Sequence, residues 1–142
     1  MSRSLPAFDA VQPGGEPPAW AVGPISRTDI VRYQGASGDF NPVHHDEGFA
    51  RASGFDAPLG VGMLTAGLMT TWATRWLGAE RVRSTRVRWK KPVFPGTTVT
   101  FSGTVASRDA EAARVDLELQ GVDDAGDVVV LGWMTFDLSE GA

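Results

Sequence analysis

The spacing of hydrophobic residues changes part-way along the chain, from a helical period to a strand period. Gly60 to Leu77 carries Met63, Leu64, Ala66, Leu68, Met69, Trp72, Ala73, Trp76 and Leu77 with almost no polar stripe. That pattern predicts a helix apolar nearly all round and therefore buried on all sides. Pro58 precedes it and Gly78 closes it. From Val82 onward the pattern alternates. Val87 and Trp89 alternate with Arg86, Arg88 and Lys90, and Val99, Phe101, Gly103 and Val105 with Thr98, Thr100, Ser102 and Thr104. Val115, Leu117 and Leu119 alternate with Arg114, Asp116 and Glu118. A period of two predicts half-buried strands, ending in a long strand over 127–138 after the Asp123-Asp124-Ala125-Gly126 turn.

Upstream, residues 19–25 read as a first strand. Ser26-Arg27-Thr28-Asp29 reads as a capping box opening a helix to about Gly35, with Ile30, Val31 and Tyr33 on its buried side. Asp46 is placed to cap a short helix from Glu47 to Ser53, which Gly54 ends in the left-handed conformation. Residues 1–18 contain Pro6, Pro13, Gly14, Gly15, Pro17 and Pro18, which neither a helix nor a central strand tolerates. A partly mobile lead-in arm is expected there, followed by one domain over 19–142. Strands that follow one buried helix predict an α+β fold, an antiparallel sheet curved around a central hydrophobic helix.

Composition narrows the partners. A chain of 142 residues, 42% hydrophobic and 21% charged, can build one core but not two. Its net charge of -4 argues against a nucleic-acid partner, because phosphate binding needs a basic surface. The absence of cysteine excludes disulfides, thiolate nucleophiles and cysteine metal sites. Met1 to Leu5 run into Pro6 without the apolar stretch of a secretory signal, and no stretch approaches a membrane span. A cytoplasmic protein with no membrane partner is the expectation.

The candidate chemistry lies in Ser37-Gly38-Asp39-Phe40-Asn41-Pro42-Val43-His44. Pro42 prevents continuous helix and biases Asn41 toward extended angles, while Gly38, Asp39 and Asn41 favour turns. A bent loop of this kind can aim Asp39 and His44 into one space. There the two can hold a water, one accepting its proton and the other orienting it or returning a proton. His45 and Asp46 follow His44 directly, but adjacent residues point in different directions and the chain has no further histidine. No metal and no cofactor is expected.

Asp-x-Asn-Pro-x-His over residues 39–44 resembles the signature of the MaoC-like, (R)-specific enoyl-CoA hydratase (hydratase 2) family. Gly54-Phe55-Asp56-Ala57-Pro58-Leu59, Gly62-Met63-Leu64 and Lys91-Pro92-Val93-Phe94-Pro95-Gly96-Thr97 extend the resemblance, which runs from about Trp20 to Leu138. It implies the hot-dog fold, Asp39 and His44 as the catalytic pair, an R hydroxyl, and a coenzyme A or acyl-carrier-protein thioester as substrate. Two-copy assembly is implied as well, as a homodimer or with a related subunit. The chain is also similar to subunits of heterodimeric (3R)-hydroxyacyl-carrier-protein dehydratases and steroid side-chain enoyl-CoA hydratases, in which one subunit carries the dyad.

Gly62, at the start of the buried helix, is the expected third component: backbone N–H groups there lack helical partners and suit a thioester oxygen on which charge develops. Where the family usually has histidine before Gly-Met, this chain has Val61. The backbone donor survives that change, while entrance geometry and substrate choice shift with it. Asn41, Val61, Met63, Arg88 and Lys90 are the candidate substrate-binding residues, Asn41 reading better as support for the loop. Arg75, Arg81, Arg83, Arg86, Arg88, Lys90 and Lys91 hold seven of the 13 basic residues. They read as a solvated strand face or as a landing site for coenzyme A phosphates or an acidic carrier. The competing readings are a hot-dog thioesterase and a non-catalytic acyl-binding subunit.

Overall fold

The alternating half of the sequence builds the sheet. In a computed structural model, which describes residues 5–139, β1 (Trp20–Val22), β2 (Val82–Trp89), β3 (Val99–Asp109), β4 (Arg114–Asp123) and β5 (Val128–Asp137) form one five-stranded sheet. Its order is β1-β3-β4-β5-β2, with every neighbouring pair antiparallel. β3, β4 and β5 follow one another as hairpins, and the Asp123 carboxylate closes the last turn by accepting from the amides of Ala125 and Asp127. Val115, Leu117 and Leu119 are buried on one face of β4, while Arg114, Asp116, Glu118 and Gln120 point away. This is the alternation read from the sequence.

α3 (Gly62–Leu77) lies across the inner face of that sheet. Met69, Trp72, Ala73 and Leu77 pack with Phe101, Leu117, Leu119, Met134 and Phe136 in one core. Each large side chain buried there contributes about 1.5–3 kcal/mol. Gly132 of β5 has no Cβ because the Met69 thioether occupies that space.

The expectation that α3 is buried on all sides is corrected. The sheet covers one face only, Met63 is 55% exposed, and Gly67, Thr70, Thr71 and Thr74 are half-buried on the other side. Thr70 and Thr71 turn their hydroxyls back to the Gly67 carbonyl, which lets that face carry threonine without unmet donors.

α1 (Arg27–Ser37) begins at the expected capping box. The Asp29 amide donates to the Ser26 hydroxyl at 3.1 Å and the Ser26 amide donates to the Asp29 carboxylate at 2.9 Å. The helix runs past Gly35 to Ser37 and buries Ile30 and Gln34, four residues apart on one face. Val31 is 54% exposed, which corrects its expected place on the buried side. α2 (Glu47–Ala52) is capped by Asp46, whose carboxylate accepts from the Phe49 amide.

The segment expected as a lead-in arm lies against the sheet from residue 5 onward; residues 1–4 of it, and 140–142 of the expected domain, fall outside the described residues. Val11 is buried, and Gly14 and Gly15 exchange backbone hydrogen bonds with Val105 of β3. Arg108 stacks on Phe8 and donates to its carbonyl. Backbone pairing of this kind holds a proline- and glycine-rich segment that has no element of its own beyond the short 3-10 turn Phe8–Ala10. Among the described residues no helix is long and apolar enough to cross a membrane.

The Ser26 hydroxyl and amide hold the Asp29 carboxyl below the usual carboxylate range. Its stabilising effect is therefore present above that range and is lost as pH falls through the lowered folded value. Ser26→Ala should cost about 1 kcal/mol in urea unfolding at neutral pH. The gap from wild type should narrow in acid as Asp29 gains a proton.

Candidate active site

The loop after α1 is shaped by backbone rather than by side-chain packing alone. Gly38 ends the helix with φ 74, in the left-handed region that glycine enters without strain. The Asp39 carboxylate accepts from the Asn41 amide at 3.2 Å. Asn41 in turn caps the 3-10 turn Pro42–His44, its side-chain oxygen accepting from the Val43 amide at 3.1 Å. Asn41 therefore supports the loop, and its side-chain oxygen is already engaged.

Gln34, 3% exposed, holds this loop from below. Its amide nitrogen donates to the carbonyls of Asp39 at 2.8 Å and Asn41 at 3.3 Å, and its oxygen accepts from His45 Nδ1 at 3.2 Å. Sequence reading misses Gln34. The available signal is its place four residues after Ile30, on the face that α1 buries.

His44 Nδ1 lies 2.8 Å from the Leu59 carbonyl. A carbonyl can only accept, so Nδ1 carries the hydrogen and the neutral ring presents Nε2 as an acceptor. That Nε2 lies 3.8 Å from Asp39 Oδ2. This is too long for a direct hydrogen bond, and it is the span across which one water bonds both atoms at about 2.8 Å. The His44 side chain is 10% exposed and the Asp39 side chain 44%, so the imidazole is held by the fold and the carboxylate reaches solvent.

A cleft of about 340 Å³ opens beside His44. His44, Leu59, Gly60, Gly62, Thr65, Trp89 and Lys90 are among the residues that line it. Val61 is the N-cap of α3 and makes no side-chain cap, and the Gly62 and Met63 amides find no backbone acceptor among the described residues. Two free donors thus stand at the positive end of the helix dipole, one of them on the cleft wall.

His44, Gly62 and Lys90 are brought together here, with Asp39 beside His44. The remaining candidates are not. Val61 is 2% exposed because its extended N-cap backbone turns the side chain into the core. Met63 faces solvent, and Arg88 alternates to the opposite face of β2 from Trp89. Sequence reading also misses Trp89 as a site residue. Its indole N–H donates to the Gly62 carbonyl at 2.8 Å.

The basic run is largely engaged. Arg83 pairs with Asp137, Lys91 with Asp127, Arg75 stacks on Trp20 and Arg86 on Trp133. Lys90 makes no ion pair with a described residue.

The family model described as "MaoC like domain" matches residues 10–122. The chain belongs to the MaoC-like domain family. The MaoC-like domain is 34% identical over 113 residues to the (R)-specific enoyl-CoA hydratase of Rhodospirillum rubrum, covering 78% of each chain. It is 32% identical over 132 residues to the peroxisomal multifunctional enzyme type 2 of Mus musculus, covering 91% of this chain but only 17% of that one. Among solved structures, the ChsH1-ChsH2 complex from Mycobacterium tuberculosis is 26% identical with a TM-score of 0.80, over 90% of this chain and 98% of that one. The sheet wrapped on α3 is the hot-dog fold of these hydratases.

Removing the Gln34 amide takes the donor away from the Asp39 and Asn41 carbonyls in a part-buried setting. Gln34→Leu in the MaoC-like domain should therefore cost about 1–3 kcal/mol in chemical unfolding, despite the gain of an apolar side chain.

Proposed function

We propose that this MaoC-like domain adds water to 2-enoyl thioesters to give (R)-3-hydroxyacyl thioesters, and removes it in the reverse direction. The observation that carries the reading is His44 Nε2 facing Asp39 Oδ2 across 3.8 Å, on a cleft that also holds the uncapped start of α3. The likeness to the Rhodospirillum rubrum hydratase supports it.

A water between the pair donates one O–H to the carboxylate and the other to Nε2, which turns its lone pairs toward the cleft. As its oxygen bonds to the β carbon, the π electrons move toward the thioester carbonyl and leave an enolate-like oxygen. The Gly62 amide is the donor for that oxygen. A preorganised donor of this kind contributes about 3 kcal/mol to the transition state. His44 takes the proton, because the imidazolium so formed sits between the Leu59 carbonyl and the Asp39 carboxylate and is stabilised by both. That proton then goes to the α carbon, so the enzyme ends as it began and the elements of water are added across the double bond. Lys90 at the cleft edge, with no ion pair to a described residue, supports binding of the phosphate that coenzyme A and acyl-carrier-protein thioesters share.

The half-covered face of α3 supports a second hot-dog subunit, either another copy of this chain or a related one, and the likeness to a two-protein complex points the same way. Static light scattering of the purified protein should give the mass of two chains. A fully active monomer at micromolar concentration would remove the partner from the reading.

Asp39→Asn and His44→Ala should each fold normally by circular dichroism and lower hydration by about 100-fold or more. The assay is loss of the ultraviolet absorbance of a conjugated enoyl thioester with no free thiol released. Near wild-type rates in either variant would sink the dyad, and thiol release in place of hydration would make the protein a thioesterase.

A further inference from the structure

Position 62 is glycine, yet its backbone does not require glycine. Gly62 is absent from the residues with positive φ. The constraint is spatial. A Cβ at position 62 would lie 3.0 Å from Trp89 Nε1, 3.3 Å from Cε2 and 3.4 Å from Cδ1. The pyrrole edge of the indole therefore rests on the Cα of the first residue of α3. Its N–H is bonded to the Gly62 carbonyl at 2.8 Å, the carbonyl that helical geometry also offers to the Ala66 amide. One side chain thus holds the Gly62 Cα with its ring and the Gly62–Met63 peptide with its N–H, the two groups that follow the Gly62 amide directly along the chain.

Trp89 is the last residue of the edge strand β2, anchored by pairing with Val130 of β5. It is 47% exposed and its ring forms part of the cleft wall with His44, Gly60 and Lys90. A half-exposed tryptophan at an edge is not needed for the core. Its hydrogen bond crosses from the sheet to the helix start, where among the described residues no side chain caps the free amides.

We propose that Trp89 is a positioning residue, which clamps the first turn of α3 so that the Gly62 amide faces the substrate carbonyl. The inference rests on the hydratase reading, since the amide has a role to be positioned for only if a thioester oxygen binds there. Glycine at 62 then exists to admit the indole. Alanine there harms the enzyme by pushing Trp89 away.

The test is a cycle of Trp89→Phe, Trp89→Leu, Gly62→Ala and the Gly62→Ala/Trp89→Leu double variant, assayed for enoyl-thioester hydration per folded molecule. Trp89→Phe keeps a flat ring on the wall but loses the N–H. It should lower kcat by about tenfold or more with KM changed less than about twofold, because misorientation of a donor is felt mainly in the transition state. Gly62→Ala should also lower kcat by about tenfold or more. The double variant should match Trp89→Leu alone, since without the indole the added methyl meets nothing. A merely structural or wall-forming tryptophan would raise KM and leave kcat in place. Unchanged kcat in Trp89→Phe, or single-variant losses that multiply in the double, overturns the inference while wild-type hydration still stands. A wild-type protein that hydrates no enoyl thioester overturns the function from which the inference starts.

Discussion

The seating of α3 on the inner face of the sheet is the contact on which the rest depends. Met69 enters the space left by Gly132, and Trp72, Ala73 and Leu77 continue the contact toward the far end of the helix. The hydrophobic burial here is the dominant favourable term, and it also fixes where the helix begins. A helix start is a chemical feature in its own right, because its amides are unpaired by geometry. Packing and site are in this way one arrangement: the core holds the helix, and the helix presents the donors.

The other half of the site hangs on backbone hydrogen bonds. Gln34 gathers two carbonyls of the loop, Asn41 caps the turn, and the Leu59 carbonyl selects the His44 tautomer. None of these groups is an acid or base at work, yet each removes a freedom that would otherwise be lost at the moment of reaction. The carboxylate is left comparatively open and the imidazole enclosed. That asymmetry suits a pair in which one member meets water and the other is kept in a single orientation.

Much of this was legible in the linear pattern, for physical reasons. A period of two marks a sheet with one covered face, and β4 follows it residue by residue. The Ser26 capping box and the Asp46 cap are short-range devices whose partners lie three residues away, so the sequence contains both ends of each interaction. The Asp39 to His44 string is equally local: Gly38 and Pro42 force a bend, and the bend brings the two side chains near each other. The apolar character of α3 was misleading on one point only. Hydrophobicity all round reports what a helix can bury, and a single sheet has one face to offer.

What distance in sequence hides is different in kind. Val31 and Gln34 are neighbours on α1, and which of them turns inward depends on how the helix is rolled against the sheet. Val61 looked like a cleft residue beside Gly62, but an extended N-cap sends its side chain into the core. Trp89 and Gly62 are separated by 27 positions and meet because β2 returns along the sheet edge to the start of α3. By itself the sequence determined the elements, the bend of the Asp39–His44 loop and the family, since these rest on interactions within a few residues. Only the tertiary structure decided which side chains line the cleft, how His44 is oriented and that Trp89 rests on Gly62, because those depend on contacts that exist only after the chain has closed on itself.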